Sequence, residues 1–549
     1  MLFVDEPKNG LLSDKSMLMK RKTRISAGLL ILILVTVLGY NAGILALDEV
    51  PAIYDPLELS RISLMFARGL AHFDADLIDE FFSRSGASAF PPLIHYTALP
   101  VTLGFNAAMG APVASFSIFI VVMVLSVYAV GLRAGDRGAG LLAAALVMTA
   151  PGLSGFSRVY MTDFPLAAVT AAGVAMLFFT DSFCHKRFTF TFGALIGLGL
   201  LTKQSFPLYM TWPILAYAVP ALSKTDSNTG RKTRIACLGA ALFLGILIGM
   251  TWLLPRLHTF FIDRRIISDF YRHMEPRSFN ALDYVGMLAG FAAGPFLFGA
   301  AVAGVFGAPR NRKSYALIAW LVVPLIVCPM IFTMRTPRYI LPVVPACAVL
   351  AALAVRRFAG KHFIPAAAAM IVTCFGFLQW QTLKQPAENL DVEMHHGRFQ
   401  ETGVLRPQSV ADDPEKIVES VWENHRGGRV VMLMDSPFTE AVQGGLWERD
   451  LQFPAENLFE MAGIGRLPAG LQEPDEILNY LRDSEMILVA RGRPDDPSTY
   501  APGGGVPDHY AARVFEAFNK VHPEFGLLMR QETGDGRTLQ LLVKLENKT

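Results

Sequence analysis

The sequence carries little charge for its size. Asp, Glu, Lys and Arg make up 17% of its 549 residues and apolar residues 52%, with a mean hydropathy of +0.38. Soluble domains carry about 25% charged residues, so there is too little polar surface to cover a water-soluble body, and lipid is the expected main solvent. Cysteine is scarce too. Cys237, Cys328, Cys347 and Cys374 lie inside apolar runs and Cys184 at the end of one, which excludes a disulfide framework and a thiolate metal site. No P-loop is present: Gly503-Gly504-Gly505 lacks the strand-then-helix context of a phosphate loop and reads as a turn. There is no His/Cys metal cluster and no solenoid repeat. A net charge of +2 gives no reason to expect a nucleic-acid partner.

What is abundant is apolar sequence in long runs. The basic segment Lys20-Arg21-Lys22-Thr23-Arg24 leads into a run to about Leu47, too long for the core of a cleaved signal peptide, and reads as a retained anchor. Further runs fall at about 113–133, 138–157, 164–181, 188–202, 205–222, 235–254, 284–308, 315–333, 339–355 and 363–382, giving about 11 transmembrane helices. The stretch from Pro91 to Pro112 is apolar but broken by prolines, which suits an interfacial piece better than a crossing. Loop charge tests the resulting parity, because short cytoplasmic loops collect Lys and Arg. With Lys20 to Arg24 inside, alternate loops should be basic. Arg133/Arg137, Lys186/Arg187, Lys224/Arg231/Lys232/Arg234, Arg310/Arg312/Lys313 and Arg356/Arg357/Lys361 satisfy this. The extracytoplasmic side then holds an acidic loop at 48–92 with juxtamembrane helices, an arginine-rich loop at 255–283, and everything after residue 384.

That last part changes character, with more Pro, Asp and Glu. A helix is expected from Asp412-Asp413-Pro414-Glu415, where proline and acids suit the first turn. A strand at 429–434 follows, then a helix near 474–482, a strand at 486–490, a helix near 510–521 and strands around 526–531 and 538–544. The expected fold is a polytopic α-helical membrane domain over 1–384 with a small C-terminal α/β soluble domain over 385–549.

Three polar constellations stand at the extracytoplasmic ends of these runs. In Tyr54-Asp55-Pro56-Leu57-Glu58, Asp55 begins a helix lying along the surface, where helix capping is the plain alternative to a chemical role. In Ser157-Arg158 through Asp163-Phe164-Pro165, Asp163 opens an apolar helix and Arg158 is near enough in sequence to pair with it. In Leu201-Thr202-Lys203, an ammonium sits between two apolar helices. Burying it unpartnered is costly; a bound phosphate is the simplest partner, and snorkelling to headgroups the alternative.

The order of these pieces, with Phe90-Pro91-Pro92-Leu93 after the first and Arg338-Tyr339-Ile340-Leu341-Pro342 after the last, resembles the GT-C membrane glycosyltransferases. The likeness covers about the first 350 residues and is greatest to the group of protein O-mannosyltransferases and lipid A aminoarabinose transferases. The resemblance implies an inverting transfer of a sugar from a polyprenyl phosphate, such as undecaprenyl phosphate, to a glycolipid, polysaccharide or protein acceptor, at the extracytoplasmic face of a bacterial inner membrane. It places Asp55 and Asp163 at the family's two acidic positions, with Glu58 a nearby third carboxylate. Arg158, Lys203, Arg335, Arg338, Tyr339 and His258 become substrate-binding residues, the cations stabilising the departing lipid phosphate. Some members use a divalent cation, for which Asp55, Asp163 and His258 are the matching ligands, although no spacing demands one. Two departures stand out. Relatives commonly have two adjacent acids where Asp55 is followed by Pro56, and a lysine where this chain has Phe90. A secondary transporter or a non-catalytic lipid-binding protein are the competing readings; the one-sided placement of the polar motifs favours the enzyme.

Overall fold

The computed structural model describes residues 9–47, 55–87, 91–104, 110–223, 228–257, 281–332, 336–384, 392–395, 398–401, 414–433, 442, 446, 455–457, 474–491, 517–532 and 538–545. The molecule is mostly helical. The helices of its N-terminal part are α1 (Asn9–Leu47), α2 (Asp55–His72), α3 (Ala75–Ala87), α4 (Leu93–Gly104), α5 (Ala111–Ala114), α6 (Phe116–Ala134), α7 (Arg137–Val147), α8 (Pro151–Phe156), α9 (Asp163–Phe179), α10 (Lys186–Leu200), α11 (Phe206–Ser223) and α12 (Asn228–Leu253). After a gap follow α13 (Ala281–Met287), α14 (Pro295–Gly307), α15 (Arg312–Ile331), α16 (Val344–Ala359) and α17 (Phe363–Lys384). Among the described residues, five helical stretches are long and apolar enough to cross a membrane: Arg24–Leu47, Ala111–Ala134, Gly230–Arg256, Arg312–Ile331 and Pro337–Leu383. Large apolar side chains such as Phe306 and Ile364 are about four-fifths exposed on the outside of this bundle, the surface of an integral membrane protein facing lipid.

Two expected runs are interrupted. The 138–157 run is divided between α7 and α8, with Pro151 at the first turn of the second piece. The 284–308 run contains a π-helical turn at Leu288–Ala292 and then Gly294, whose φ of +82° starts α14 afresh.

Three of the basic loops, those of Arg133/Arg137, Arg310/Arg312/Lys313 and Arg356/Arg357/Lys361, meet at one end of the bundle, where several of their cations satisfy carbonyls that helix C-termini leave over. Arg133 donates to the Phe178 carbonyl near the end of α9, and Lys313 donates to that of Arg133 near the end of α6. Arg357 caps α14 at the Gly307 carbonyl, and Arg312 binds both Asp181 and Ser182. These last two lie in a turn where three consecutive non-glycine residues, Asp181, Ser182 and Phe183, have φ of +46°, +62° and +64°. That conformation costs about 1–2 kcal/mol per residue, which the buried Phe183 and the contacts of Arg312 offset. Asp136 caps α7 through the Ala139 N–H and pairs with Arg356 at 2.7 Å. Burial pushes its carboxyl up, but these two partners outweigh burial and hold it below its ordinary value.

One helix pair is fixed by glycine. α10 carries Gly193 and Gly197 at a four-residue spacing and α12 carries Gly245 and Gly249. A Cβ on Gly197 would lie 2.5 Å from Ile248, and one on Gly245 would lie 2.8 Å from the Gly193 carbonyl. The two backbones therefore touch along facing small-residue motifs, the arrangement that associates helices where lipid removes the hydrophobic drive.

The C-terminal residues form a two-stranded hairpin, β1 (Val392–His395) with β2 (Arg398–Glu401), and a five-stranded mixed sheet. Its strands are β3 (Val430–Leu433), β4 (Ala455–Asn457), β5 (Met486–Arg491), β6 (Phe525–Glu532) and β7 (Thr538–Lys544), in the order β4-β3-β5-β7-β6. β4 and β5 run parallel to β3; β7 is antiparallel to β5 and β6. Strand alternation sends Val430 and Met432 to one face and Val431 and Leu433 to the other. Helix α18 (Pro414–Asn424) covers the first face, while α19 (Pro474–Arg482), Phe518 and Val521 cover the second. Leu64 and Met65 of α2 are completely buried in the first of these cores, so the sheet rests on the helix that follows α1. The expected strands and the helices at 414–424 and 474–482 correspond to observed elements. Residues 510–516 and the Gly503-Gly504-Gly505 turn lie outside the described residues.

Candidate active site

At the end of the bundle opposite the basic cluster, Asp163 is the first residue of α9 and Lys203 stands in the turn after α10. Lys203 Nζ lies 2.6 Å from Asp163 Oδ1, with the aspartate side chain 1% and the lysine 15% exposed. The partner of the lysine is thus a carboxylate that the sequence places 40 positions away. The second oxygen, Asp163 Oδ2, is buried and has no hydrogen-bond partner among the described residues. A buried carboxylate oxygen left unserved is costly, and it marks the place where a donor from a bound molecule would be received.

Tyr339 stands beside the pair. It belongs to a 3-10 turn, Pro337–Val343, started by Thr336, whose hydroxyl accepts from the Arg338 N–H. Lys203 Nζ lies 5.4 Å and the Arg338 guanidinium 5.6 Å from the centroid of the Tyr339 ring, within the range where a cation is attracted to a π face. The ring is stacked on Phe332 at 4.3 Å, and the Tyr339 carbonyl accepts from the Tyr209 hydroxyl. Arg338 Nη1 also lies 3.4 Å from Met161 Sδ. Two cations therefore stand at one aromatic ring, and one of them is paired with a buried carboxylate, a set suited to a phosphate beside a proton-accepting group.

Among the described residues Arg158 meets Asn41 rather than Asp163. Its Nη1 is 3.4 Å from Asn41 Oδ1, which also accepts from Ser157 at 2.9 Å, so α1 is tied to the segment before α9. Asp55 is the first residue of α2 and Glu58 lies one turn on, but their side chains, together with His258 and Arg335, lie outside the described residues. The same holds for the proposed metal set, of which only Asp163 has a described side chain. Among the described residues no group of three or more His, Cys, Asp or Glu converges to hold a metal ion. Of the arginine-rich 255–283 loop, Arg256 donates to the carbonyls of Trp252 and Phe82, a structural role that joins α12 to α3. Asn41, Met161 and Tyr209 were not legible as site residues, since an isolated Asn, Met or Tyr near an apolar run carries no signal of its own.

No protein-family model matches the sequence, and no curated protein does. Solved structures do match its fold. ArnT from Cupriavidus metallidurans in the apo state is 12% identical with a TM-score of 0.58, covering 95% of this chain and 98% of that one. The same protein bound to undecaprenyl phosphate is 13% identical with a TM-score of 0.57, covering 94% and 97%. The apo oligosaccharyltransferase of Archaeoglobus fulgidus is 11% identical with a TM-score of 0.52, covering 93% of this chain and 80% of that one. The chain thus has the fold of the GT-C glycosyltransferases.

Proposed function

We propose that this protein is a membrane glycosyltransferase that moves a sugar from a polyprenyl phosphate to an acceptor, at the end of the bundle that carries Asp163. The observation that carries this reading is the buried Asp163–Lys203 pair with its unserved Oδ2, set against Tyr339 and Arg338. Undecaprenyl phosphate is bound by the Cupriavidus protein of the same fold, and a lipid phosphate is the ligand such cations would hold. In the mechanism, the acceptor's hydroxyl or amine attacks the anomeric carbon as the bond to the lipid phosphate breaks. Asp163, with Asp55 at the start of α2, receives or orients the acceptor proton. Lys203 and Arg338, joined by Arg335, Arg158 and His258, neutralise the phosphate as it leaves. Attack opposite the leaving group inverts the anomeric centre. The site is assigned to the extracytoplasmic face of a bacterial inner membrane, with residues 385–549 as an extracytoplasmic domain. Asp163, Lys203, Tyr339 and Arg338 stand at an end of the bundle rather than at its middle, which favours an enzyme over a transporter.

The test begins with lipids extracted from the purified protein and identified by mass spectrometry. Undecaprenyl-phosphate sugars found there are supplied in labelled form with a membrane extract as acceptor. Asp163→Asn should abolish label transfer while undecaprenyl phosphate still binds within about threefold of wild type. Undiminished transfer by Asp163→Asn would overturn the reading.

A further inference from the structure

Three buried polar side chains that the mechanism does not use meet behind the site. Ser63 Oγ lies 2.7 Å from His95 Nδ1 and 2.7 Å from the Tyr160 hydroxyl, and Tyr160 donates to the Ile94 carbonyl at 3.0 Å. Ser63 is buried and Tyr160 and His95 completely so, the His95 ring set edge-on against Phe81 at 5.7 Å. Ser63 can also donate to the Leu59 carbonyl at 3.1 Å. Each hydroxyl has a single proton; Tyr160 gives its own to Ile94, and a proton on His95 Nε2 would be a buried donor with no partner among the described residues, so His95 is read as donating from Nδ1 to Ser63, whose proton goes to Leu59 or Tyr160. The proton then sits on Nδ1 by inference from the network, and Nε2, which has no partner among the described residues, is a bare acceptor rather than a stranded N–H. Burial pushes the histidine down to about 3 and the Tyr160 phenol up, so both stay neutral.

Two of the three residues come from segments that carry the site, and the third from a helix hydrogen-bonded to another such segment. Ser63 is eight residues along α2 from Asp55, about 12 Å at the helical rise. Tyr160 lies three residues before Asp163. His95 is in α4, whose first residue, Leu93, donates its N–H to the Leu201 carbonyl, two residues before Lys203. We propose that Ser63, His95 and Tyr160 form a positioning hub that holds the segments of Asp55, Asp163 and Lys203 in fixed register. The inference rests on the proposed reaction for its consequence, and on geometry alone for the hub itself. Among the described residues none of the three hydrogen-bonds to Asp163, Lys203, Tyr339 or Arg338; they act through the segments they join. Because α2 also buries Leu64 and Met65 in the C-terminal sheet's core, the hub stands where that sheet bears on the site.

The test uses the full chain in nanodiscs and two readouts. In His95→Leu, amide hydrogen exchange in peptides covering 157–163 and 201–205 should quicken about tenfold, with sugar transfer falling about tenfold and the melting temperature unchanged within a few degrees. His95→Asn, which places an amide nitrogen where Nδ1 stood, should restore both to within about threefold, whereas His95→Gln should not. Should His95→Leu fold poorly, Tyr160→Phe and Ser63→Ala carry the same expectation, and their double variant should lose no more than the worse single one. Unchanged exchange in both segments, or Asn no better than Leu, would sink the hub. Asp163→Asn is run beside them: if it still transfers sugar the reaction is misassigned, and the exchange result still decides the hub on its own.

Discussion

Breaking the Asp163–Lys203 pair from the lysine side leaves a carboxylate that is 1% exposed without its counter-charge, and removing one partner of a buried pair costs about 3–5 kcal/mol. Lys203→Met should therefore lower stability by about 3 kcal/mol in mixed-micelle denaturation, and Asp163→Asn by somewhat less, because the ammonium reaches solvent. The double variant should return to within about 1 kcal/mol of wild type while transferring no sugar. A double variant no more stable than Lys203→Met would show that the two charges do not depend on each other. His95 makes a second, signed prediction. Its folded value near 3 lies below the ordinary 6.5, so between these values the unfolded chain binds a proton that the folded chain does not. Stability is full above about pH 6.5 and falls by about 1.4 kcal/mol per unit as pH drops. His95→Asn should flatten the melting-temperature profile between pH 6.5 and 4.5; equal slopes would mean that the imidazole is not buried neutral. Asp136, with its lowered value, acts in a more acid window, stabilising above the carboxylate range and losing that contribution as pH falls through it. Asp163 and Lys203 could be picked from the sequence because charge next to an apolar run is expensive and needs a reason. Ser63, His95 and Tyr160 could not: each is ordinary alone, and their meeting spans up to 97 positions.

The elements were legible in proportion to how local their causes are. Apolar runs announce helices, and Pro414 and Pro474 announce the starts of α18 and α19. The left-handed turn at Asp181–Phe183 has no glycine to give it away. β4, Ala455-Glu456-Asn457, has none of the β-branched or aromatic residues that mark a strand and exists by pairing with β3. The glycine motifs of α10 and α12 are readable, but which helix each one meets is not. Their contact reaches the last residue of α10, where Leu200 lies against Gly249, three residues before Lys203. Gly197→Leu forces a side chain onto Ile248 and the Gly245 carbonyl, 3.1 Å from an added Cβ. Overpacking of this kind costs about 1–3 kcal/mol or more, so the melting temperature should drop and the affinity for undecaprenyl phosphate should weaken several-fold. Gly239→Leu, on α12 with nothing within 4 Å of an added Cβ, should do neither. If the two variants behaved alike, the tight α10–α12 contact would not be what places the lysine.

Over the whole molecule, loop parity predicts an excess of Lys and Arg on one side and the candidate chemistry on the other. The structure gathers Arg133, Asp181, Arg312 and Lys313 at one end and Asp163, Lys203, Tyr339 and Arg338 at the other. The C-terminal sheet joins the second end through Leu64 and Met65. The proposed orientation puts the basic end in the cytoplasm, and the molecule carries its own reporter. Cys184, beside the basic end, is exposed, whereas Cys328, Cys347 and Cys374 are buried and Cys237 lies partly buried on α12. A membrane-impermeant maleimide should leave Cys184 unmodified in right-side-out spheroplasts and label it in inverted vesicles. A second cysteine at exposed Asn519, beside the sheet, should show the reverse pattern in Asn519→Cys/Cys184→Ser. Labelling of Cys184 from outside would turn the molecule over and put Asp163 in the cytoplasm. Both positions labelling from one side would instead break the inference that the sheet and the basic loops lie across the membrane from each other.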